Sequence, residues 1–206
     1  MGGRAKRATD LALAVPLALV TAPVMAGIAL WVRRDSPGPA LYRQPRVGYA
    51  GRPFTLLKFR TMVVGAEGMG AGLAVSPGDA RITPAGRTLR RLSLDELPQL
   101  WNVIRGDMSL VGPRPTVASQ VERYDARRRR RLLARPGLTG LAQVSGRNAI
   151  PWSERIEIDL AYVDGWSPRG DLAILARTAS VVLRRGGTYV GERGGFDLSG
   201  PGAPDG

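Results

Sequence analysis

The 206-residue chain is strongly basic and lacks two residue types that enzymes commonly use. Thirty lysine and arginine residues against 17 aspartate and glutamate residues give a net charge of +13, which favours anionic partners such as nucleic acid, lipid headgroups or phosphorylated small molecules. The absence of cysteine and histidine excludes disulfides, thiolate nucleophiles, Cys-based zinc sites and an imidazole base, so catalysis would need carboxylates, hydroxyls, Lys/Arg or a hard metal such as Mg²⁺.

Residues 1–34 combine a long apolar stretch with a basic cluster at each end. Residues 11–32 carry no charge, and as a straight helix they would extend about 33 Å, enough to cross a hydrocarbon core of about 30 Å. Pro16 and Pro23 interrupt the pattern, because each removes a helix hydrogen bond. The positive-inside rule favours the cytoplasmic side for both basic ends. A spanning helix, a re-entrant helix bent at Pro23 and a core helix are all compatible with these features.

Residues 35–190 are predicted to form a second, globular domain, followed by a disordered tail at 191–206 that is rich in glycine, proline and aspartate. FTLLKFRTM has the alternation of a short strand, which places Lys58 and Arg60 on one face. Residues 63–80 are glycine-rich and are predicted to form a mobile loop.

The remaining elements are predicted to be helical. Thr83-Pro84 indicates a helix start, with the helix running to about Arg91. A second helix follows, with one buried stripe formed by Leu94, Leu97, Trp101 and Ile104. Further helices are predicted near residues 119–134, 153–163 and 171–185, the last of them amphipathic. The fold class is therefore α+β, mainly helical with a small β element.

Asp95 and Glu96 lie side by side in LSLDELPQL, and two interpretations compete. In the structural one, Ser93 caps a helix and Glu96 reaches back to its amide as a capping box. In the functional one, the helix N-terminus holds Asp95 ionised as a nucleophile or metal ligand and favours a phosphate group nearby.

Several cationic residues occur beside proline- or glycine-rich loops near this pair. They are Lys58 and Arg60 on the predicted strand, Arg90 just upstream, Arg114 in GPRP and Arg147 in SGRN. Each alone is more often a solvated surface charge, but the repeated placement favours an oxyanion site, because arginine forks match phosphate oxygens. The residues alone thus predict Mg²⁺-assisted phosphoryl transfer with an aspartate nucleophile, near a membrane.

Three long motifs resemble those of the bacterial sugar transferases, the monotopic phosphoglycosyl transferases that begin glycan assembly on polyprenyl phosphate. The motifs are LLKFRTM, RTLRRLSLDELPQLWNVIRGDMSLVGPRP and RPGLTGLAQVSGRN. The similarity runs from about Lys6 to about Tyr189 and fits the short form of the family, which holds the catalytic core alone. It implies that a phospho-sugar passes from a UDP-sugar to undecaprenyl phosphate with release of UMP, at the cytoplasmic face of the bacterial inner membrane.

The resemblance also implies roles for individual residues. Matched to the family's Asp-Glu dyad, Asp95 would attack the β-phosphate and form a covalent phospho-sugar aspartate, while Glu96 would support Mg²⁺ or the geometry of Asp95. The phosphate-binding candidates that match motif positions are Lys58, Arg90, Arg114 and Arg147. Asp159 is a further polar-site candidate, with an exposed helical aspartate as the alternative.

For the membrane segment, the resemblance implies a re-entrant helix and a cytoplasmic catalytic domain with amphipathic interfacial helices. The family breaks its helix at a Ser-Pro pair, which Ala22-Pro23 replaces here. The helix-breaking proline is kept and the serine hydroxyl is lost, so Thr21 is the candidate to replace it. We therefore predict a monotopic protein bound to an anionic lipid membrane.

Two other functions compete with catalysis. A nucleic-acid-binding protein would account for the charge and for the arginine run at 127–131, but the run lacks interleaved aromatics and the apolar segment has no role in such a protein. A basic helix beside a membrane segment would more simply contact anionic headgroups. A membrane-anchored scaffold without activity is the third possibility. Nothing in the sequence selects one UDP-sugar or one oligomeric state.

Overall fold

The protein is described from a computed structural model, which describes residues 3–69, 75–76, 78–146 and 150–183. As predicted, the fold is mainly helical with small sheets. The strands are β1 (Leu41–Val47), β2 (Pro53–Phe59), β3 (Ser109–Val111) and β4 (Gly137–Thr139). The helices are α1 (Gly3–Asp35), α2 (Pro84–Leu92), α3 (Gln99–Arg105), α4 (Ala118–Val121), α5 (Ala126–Arg129), α6 (Leu141–Ser145), α7 (Trp152–Asp164) and α8 (Pro168–Leu183). Short 3-10 turns occur at Tyr49–Gly51, Ala66–Gly68, Leu94–Glu96 and Arg130–Leu133.

Helix α1 is one long element that contains Pro16 and Pro23. Within the described residues it is the helix long and apolar enough to cross a membrane, with a mean hydropathy of 2.2 and 17% of its most apolar window buried. This is a criterion of length and composition, which core helices and signal sequences also meet. The Thr21 hydroxyl donates to the Leu17 carbonyl oxygen at 2.7 Å, whereas the missing amide of Pro23 frees the carbonyl of Leu19. Thr21 therefore does not take the predicted role of the lost serine, and the bend at Pro23 stays a prediction.

One side of α1 belongs to the core of the protein. Ala14 and Ala18 join the largest apolar cluster, and Ile28 and Val32 join a second cluster with β2 and α2. The outward side is also apolar: Leu19, Val20 and Val24 are 70%, 75% and 52% exposed. An apolar helix surface of this kind needs a partner other than water.

The N-terminal end of α1 is attached to the rest of the protein by buried polar contacts. Lys6 Nζ lies 2.6 Å from Asp171 Oδ2 of α8. Asp10 Oδ1 accepts hydrogen bonds from Ser109 Oγ and Leu110 N of β3, each at 3.0 Å. Because both aspartates are less than a tenth exposed, these bonds are shielded from solvent screening.

The C-terminal end of α1 is held by Arg60, which corrects the role predicted for that residue. Arg60 is 4% exposed, and it donates to Ser36 O at 2.8 Å, to Pro39 O at 2.7 Å and to Val32 O at 3.3 Å. Its Nη1 donates to Ser36 Oγ at 2.6 Å. Because its donors are used on the end of α1, Arg60 supports the fold. Its predicted place on one strand face with Lys58 had suggested phosphate binding.

The two sheets are small and place the segments that carry the cationic residues. β1 and β2 form an antiparallel hairpin in which Tyr42 lies opposite Lys58, while β3 and β4 pair in parallel. Asn102 of α3 is fully buried, and its side-chain amide donates to Thr55 O at 2.7 Å and accepts from Leu57 N at 3.0 Å. This amide fixes β2 against α3, next to Lys58.

The helix predictions are partly confirmed. Thr83 Oγ1 accepts from Gly86 N at 3.0 Å as the cap of α2, and the helices predicted near 153–163 and 171–185 correspond to α7 and α8. The single helix predicted at 119–134 is wrong, because α4 already ends at Val121. Asp125 is extended and caps the next helix, α5, by accepting from Arg128 N at 2.7 Å. The proposed tail at 191–206 lies outside the described residues, as do residues 70–74 and 77 of the predicted loop.

Candidate active site

The Asp95–Glu96 pair lies in a 3-10 turn between two helices. Ser93 ends α2 in the left-handed conformation, with φ 56° and ψ 21°, and its side chain makes no capping bond. The capping-box interpretation is therefore wrong. The prediction that Asp95 lies at the N-terminus of an α-helix is also wrong, since Asp95 lies in the 3-10 turn. The restart at Gln99 also shifts the helix phase, so Trp101 is 53% exposed while Leu100 is buried.

Asp95 is buried among charged groups, and burial dominates its acidity. Desolvation, followed by the charge of Glu96, raises the pKa of Asp95 to about 6, while Lys58, Arg90 and Arg114 oppose the rise. With that pKa, the carboxyl group of Asp95 is mainly ionised at pH 7. Lys58, Arg90 and Arg114 therefore favour the ionised form of Asp95, which is the role that the sequence analysis gave to a helix N-terminus.

Lys58 brings one of these cations from β2. Its Nζ lies 5.1 Å from the centre of the Tyr42 ring on β1, a distance at which the ring face attracts a cation. Burial lowers the pKa of Lys58 to about 8, with a contribution from the neighbouring arginines, while Asp95 acts in the opposite direction. Lys58 is therefore still mainly protonated at neutral pH.

Two arginines lie near the carboxylate pair: Arg90, which precedes the pair in the sequence, and Arg114, which follows it. Arg90 lies in the last turn of α2, where its Nε donates to Thr61 Oγ1 at 2.8 Å. Arg114 lies between two prolines after β3, and its Nη2 lies 2.9 Å from Glu96 Oε1. The Arg114 side chain is 47% exposed, so its guanidinium remains accessible to a ligand while it holds Glu96.

Arg46 belongs to the same cationic group, and the sequence analysis missed it. Burial lowers the pKa of Arg46 to about 10, and the charge of Arg114 contributes. Its guanidinium bonds to Gln44 Oε1 and to the Pro115 carbonyl oxygen, the latter at 3.4 Å. The signal was present, since Tyr42, Gln44 and Arg46 alternate along β1, but the glycines and prolines around them indicated a loop.

The two other predicted site residues differ in their outcome. Asp159 is 2% exposed and not the exposed helical aspartate of the alternative. Its Oδ2 accepts from Arg131 Nε at 2.6 Å, whereas its Oδ1 has no hydrogen-bond partner. Arg147 lies outside the described residues.

The carboxylate pair and the cations around it line one cavity of about 1560 Å³. Residues of β1, β2, α1, α6, α7 and α8 contribute to its walls. Apolar side chains, Leu17 of α1 and Leu175 of α8 among them, line the same cavity. Pockets that bind drug-sized ligands generally have volumes of about 300–1000 Å³. The cavity therefore has room for a nucleotide-sized anion together with part of a second ligand.

The donor set in this cavity suits Mg²⁺. Over the described ranges, no three acidic side chains group together as a complete metal site, whereas Asp95 and Glu96 are adjacent carboxylates that both line the cavity. Mg²⁺ commonly takes one or two carboxylates and completes its shell with waters and substrate phosphates. The burial of Asp95 next to Glu96 also leaves two carboxylates whose repulsion a cation would relieve.

Comparison with curated proteins gives similarities over most of the chain. The undecaprenyl-phosphate galactose phosphotransferase of Salmonella typhimurium is 46% identical over 200 residues, which cover 89% of this chain and 41% of that protein. The UDP-glucose:undecaprenyl-phosphate glucose-1-phosphate transferase of Caulobacter vibrioides is 45% identical over 192 residues, covering 89% and 72%. The exopolysaccharide production protein ExoY of Rhizobium meliloti is 40% identical over 203 residues, covering 92% and 90%.

The extent of the match differs between relatives, since the chain spans about two-fifths of the length of several of them. A family model described as bacterial sugar transferase matches residues 1–185. These residues include every part of the carboxylate and cation cluster described above. The chain therefore belongs to the bacterial sugar transferase family.

Proposed function

We propose that this protein transfers a phospho-sugar from a UDP-sugar to undecaprenyl phosphate, releases UMP and so begins membrane glycan assembly. The observation that carries the proposal is the convergence of Lys58, Arg90 and Arg114 on the charge of the buried Asp95. The names of the relatives from Salmonella and Caulobacter support the choice of undecaprenyl phosphate as acceptor, and the latter supports a UDP-linked donor.

In the first step, Asp95 acts as the nucleophile. A carboxylate oxygen of Asp95 attacks the β-phosphorus of the UDP-sugar, and the bond from that phosphorus to the bridging oxygen breaks. UMP leaves with the electron pair, and the phospho-sugar remains on Asp95 as an acyl phosphate. Lys58, Arg90 and Arg114 are positioned to bind the phosphate oxygens, where their charge stabilises the transition state.

In the second step, a phosphate oxygen of undecaprenyl phosphate attacks the same phosphorus. The bond to Asp95 breaks, the free carboxylate returns, and the product is a sugar diphosphate lipid. Two such displacements convert one difficult transfer into two easier ones.

Neither step requires a histidine. The nucleophile is already ionised at pH 7, since the pKa of Asp95 is about 6, and the leaving group is a phosphate oxygen that departs without a proton. This agrees with a chain that contains no histidine.

Asp95 and Glu96 would hold Mg²⁺ together with oxygens of the donor diphosphate, and the bound ion would neutralise part of the charge on those phosphates. Arg114 pairs with Glu96 and keeps that carboxylate directed into the cavity. The dyad therefore divides into a nucleophile and an anchored partner.

We further propose that α1 enters the membrane and returns to the same, cytoplasmic, side. A straight helix of 33 residues is about 50 Å long, so a spanning helix would separate its ends across the bilayer. Here Lys6 at one end binds α8, while Val32 and Ser36 at the other end bind Arg60. Both ends are thus bound to one folded domain, and the basic clusters at both ends favour the cytoplasmic side.

Nucleic-acid binding is the less favoured alternative, because several arginines of the run at 127–131 are paired with acidic residues. Arg127 pairs with Glu157, Arg130 with Asp164 and Arg131 with Asp159. These acidic partners on α7 reduce the positive field that a polyanion would need.

The test is UMP release by the full chain in detergent with Mg²⁺, undecaprenyl phosphate and a panel of UDP-sugars. Wild-type protein should release UMP from at least one donor, and Asp95→Asn and EDTA should each abolish the release. Asp164→Asn, which removes an exposed carboxylate paired with Arg130, is the matched control and should keep the wild-type rate.

A donor labelled in its sugar separates the two steps. Without acceptor, wild-type protein should carry the label covalently, and Asp95→Asn protein should not. No UMP from folded wild-type protein with any donor, or a wild-type rate in Asp95→Asn, would contradict the proposal.

A further inference from the structure

A buried ion pair lies behind the GPRP loop that carries Arg114. Arg131 Nε donates to Asp159 Oδ2 at 2.6 Å, and the side chains of Arg131 and Asp159 are 3% and 2% exposed. Arg131 also lies over the ring of Trp152, with 5.5 Å between its Cζ and the ring centre. These contacts hold its guanidinium plane in one orientation.

The same guanidinium reaches the backbone of Arg114. Arg131 Nη2 donates to the Arg114 carbonyl oxygen at 2.6 Å, and Arg114 Nη2 in turn lies 2.9 Å from Glu96 Oε1. A continuous series of bonds therefore links Asp159 on α7 to the carboxylate pair.

The geometry of this link requires arginine. Nε and Nη2 of one planar group bind two acceptors, Asp159 and the Arg114 carbonyl, in fixed directions, and an ammonium group cannot reproduce that fork. Pro113 and Pro115 restrict the backbone on either side of Arg114. Fixing the carbonyl therefore also limits where the Arg114 side chain can point.

General stabilisation does not account for a buried pair at this place. Arg127–Glu157 and Arg130–Asp164 already join the same region to α7 as exposed pairs. A buried pair costs desolvation that an apolar contact would avoid. Its distinguishing feature is the bond to the Arg114 carbonyl.

We propose that Arg131 and Asp159 are positioning residues for Arg114. Asp159 orients Arg131, Arg131 fixes the Arg114 carbonyl, and the Arg114 guanidinium is thereby directed at Glu96 and at the diphosphate of the donor nucleotide. The identity of that ligand rests on the proposed function, whereas the positioning itself rests on the bonds just described.

A double-mutant cycle on nucleotide affinity tests this without requiring turnover. The probe is UDP with Mg²⁺, titrated by calorimetry into the full-length protein in detergent. The proteins compared are wild type, Arg131→Lys, Arg114→Lys and the double variant, with Arg130→Lys as the control for an exposed neighbouring pair.

We expect Arg131→Lys to weaken UDP binding about tenfold in the wild-type background, since the hydrogen bond from the charged Arg131 guanidinium to the Arg114 carbonyl oxygen is lost. In the Arg114→Lys background the same change should cost less than about twofold, because residues that act through one group are not additive. Arg130→Lys should bind UDP as wild type does.

Equal losses in the two backgrounds would overturn the proposal, because Arg131 would then act on the ligand directly or support the fold in general. If Arg131→Lys does not fold, Asp159→Asn provides the same cycle, since it keeps the volume of the side chain but replaces the charged acceptor that orients Arg131 by a weaker, neutral one. UMP release is measured separately, so a wild-type protein that binds UDP but shows no turnover would count against the proposed function and leave the cycle decisive.

Discussion

Substituting Gly86 by alanine should move the helix that carries Arg90. Gly86 of α2 packs against Thr61, and a Cβ at position 86 would lie 2.0 Å from the Thr61 carbonyl oxygen and 2.7 Å from its carbonyl carbon. Thr61 is also the residue to which this end of the site is attached, since it accepts from Thr83 N at 3.1 Å and from Arg90 Nε at 2.8 Å.

The size of the effect follows from that overlap. Real Cβ atoms stay beyond 3.0 Å from such neighbours, so α2 would have to move by about 1 Å, a displacement that can lower a rate about 100-fold. Alanine raises helix propensity by about 1 kcal/mol relative to glycine, but overpacking costs about 1–3 kcal/mol. We therefore expect a net loss of stability together with the loss of rate.

The assay is UMP release beside thermal unfolding in detergent, for Gly86→Ala and for Gly68→Ala. Gly68 is the matched control, because nothing lies within 4 Å of a Cβ built there. Gly68→Ala should behave as wild type in both measurements. A wild-type rate in Gly86→Ala would contradict this prediction, since α2 would then tolerate the overlap without disturbing Arg90.

Three further predictions concern charge and capping. UMP release should fall as the pH rises through about 8, where Lys58 loses the proton that binds phosphate, and Lys58→Arg should remove this alkaline fall; a fall that persists in Lys58→Arg would assign it to another group. Arg60→Lys should lower the unfolding temperature, because buried carbonyl oxygens lose donors worth about 1–3 kcal/mol each, while the folded protein should keep its rate of UMP release. Unchanged stability with lost activity would instead indicate that Arg60 binds phosphate. Thr83→Ala should cost about 1 kcal/mol through loss of the α2 cap, and Thr83→Ser should recover most of it in the same unfolding measurement, so equal stability of all three proteins would contradict the capping role.

Local signals in the sequence were sufficient where the backbone follows its usual preferences. Thr83-Pro84 correctly predicted the start of α2, and the alternation around Lys58 correctly predicted β2. The Asp-Glu pair, Arg90 and Arg114 were also recognised as one group from their motifs. In each case the short-range pattern and the tertiary structure agree.

The predictions failed where tertiary contacts decide the conformation. Ser93 looked like an N-cap, but it adopts the left-handed conformation that serine rarely uses. Its role is therefore reversed, from starting a helix to ending one. Arg60 looked like a phosphate ligand because a strand pattern does not reveal that β2 ends at Phe59. Arg131 was one letter in a run of arginines, and the position of Asp159 across from it required the folded chain.

Helix α1 has a consequence for how the protein is made. Ala14, Ala18, Ile28 and Val32 are members of two separate apolar clusters, and Lys6 and Asp10 supply charges to buried bonds. Many membrane proteins insert their helices first and assemble them afterwards. Here the segment that is proposed to meet lipid also completes the interior of the protein, so removing it to obtain a soluble form would remove part of the core. If α1 enters the membrane as proposed, residues 3–35 must both insert into the bilayer and pack against the rest of the protein, so insertion and folding of this chain would be coupled.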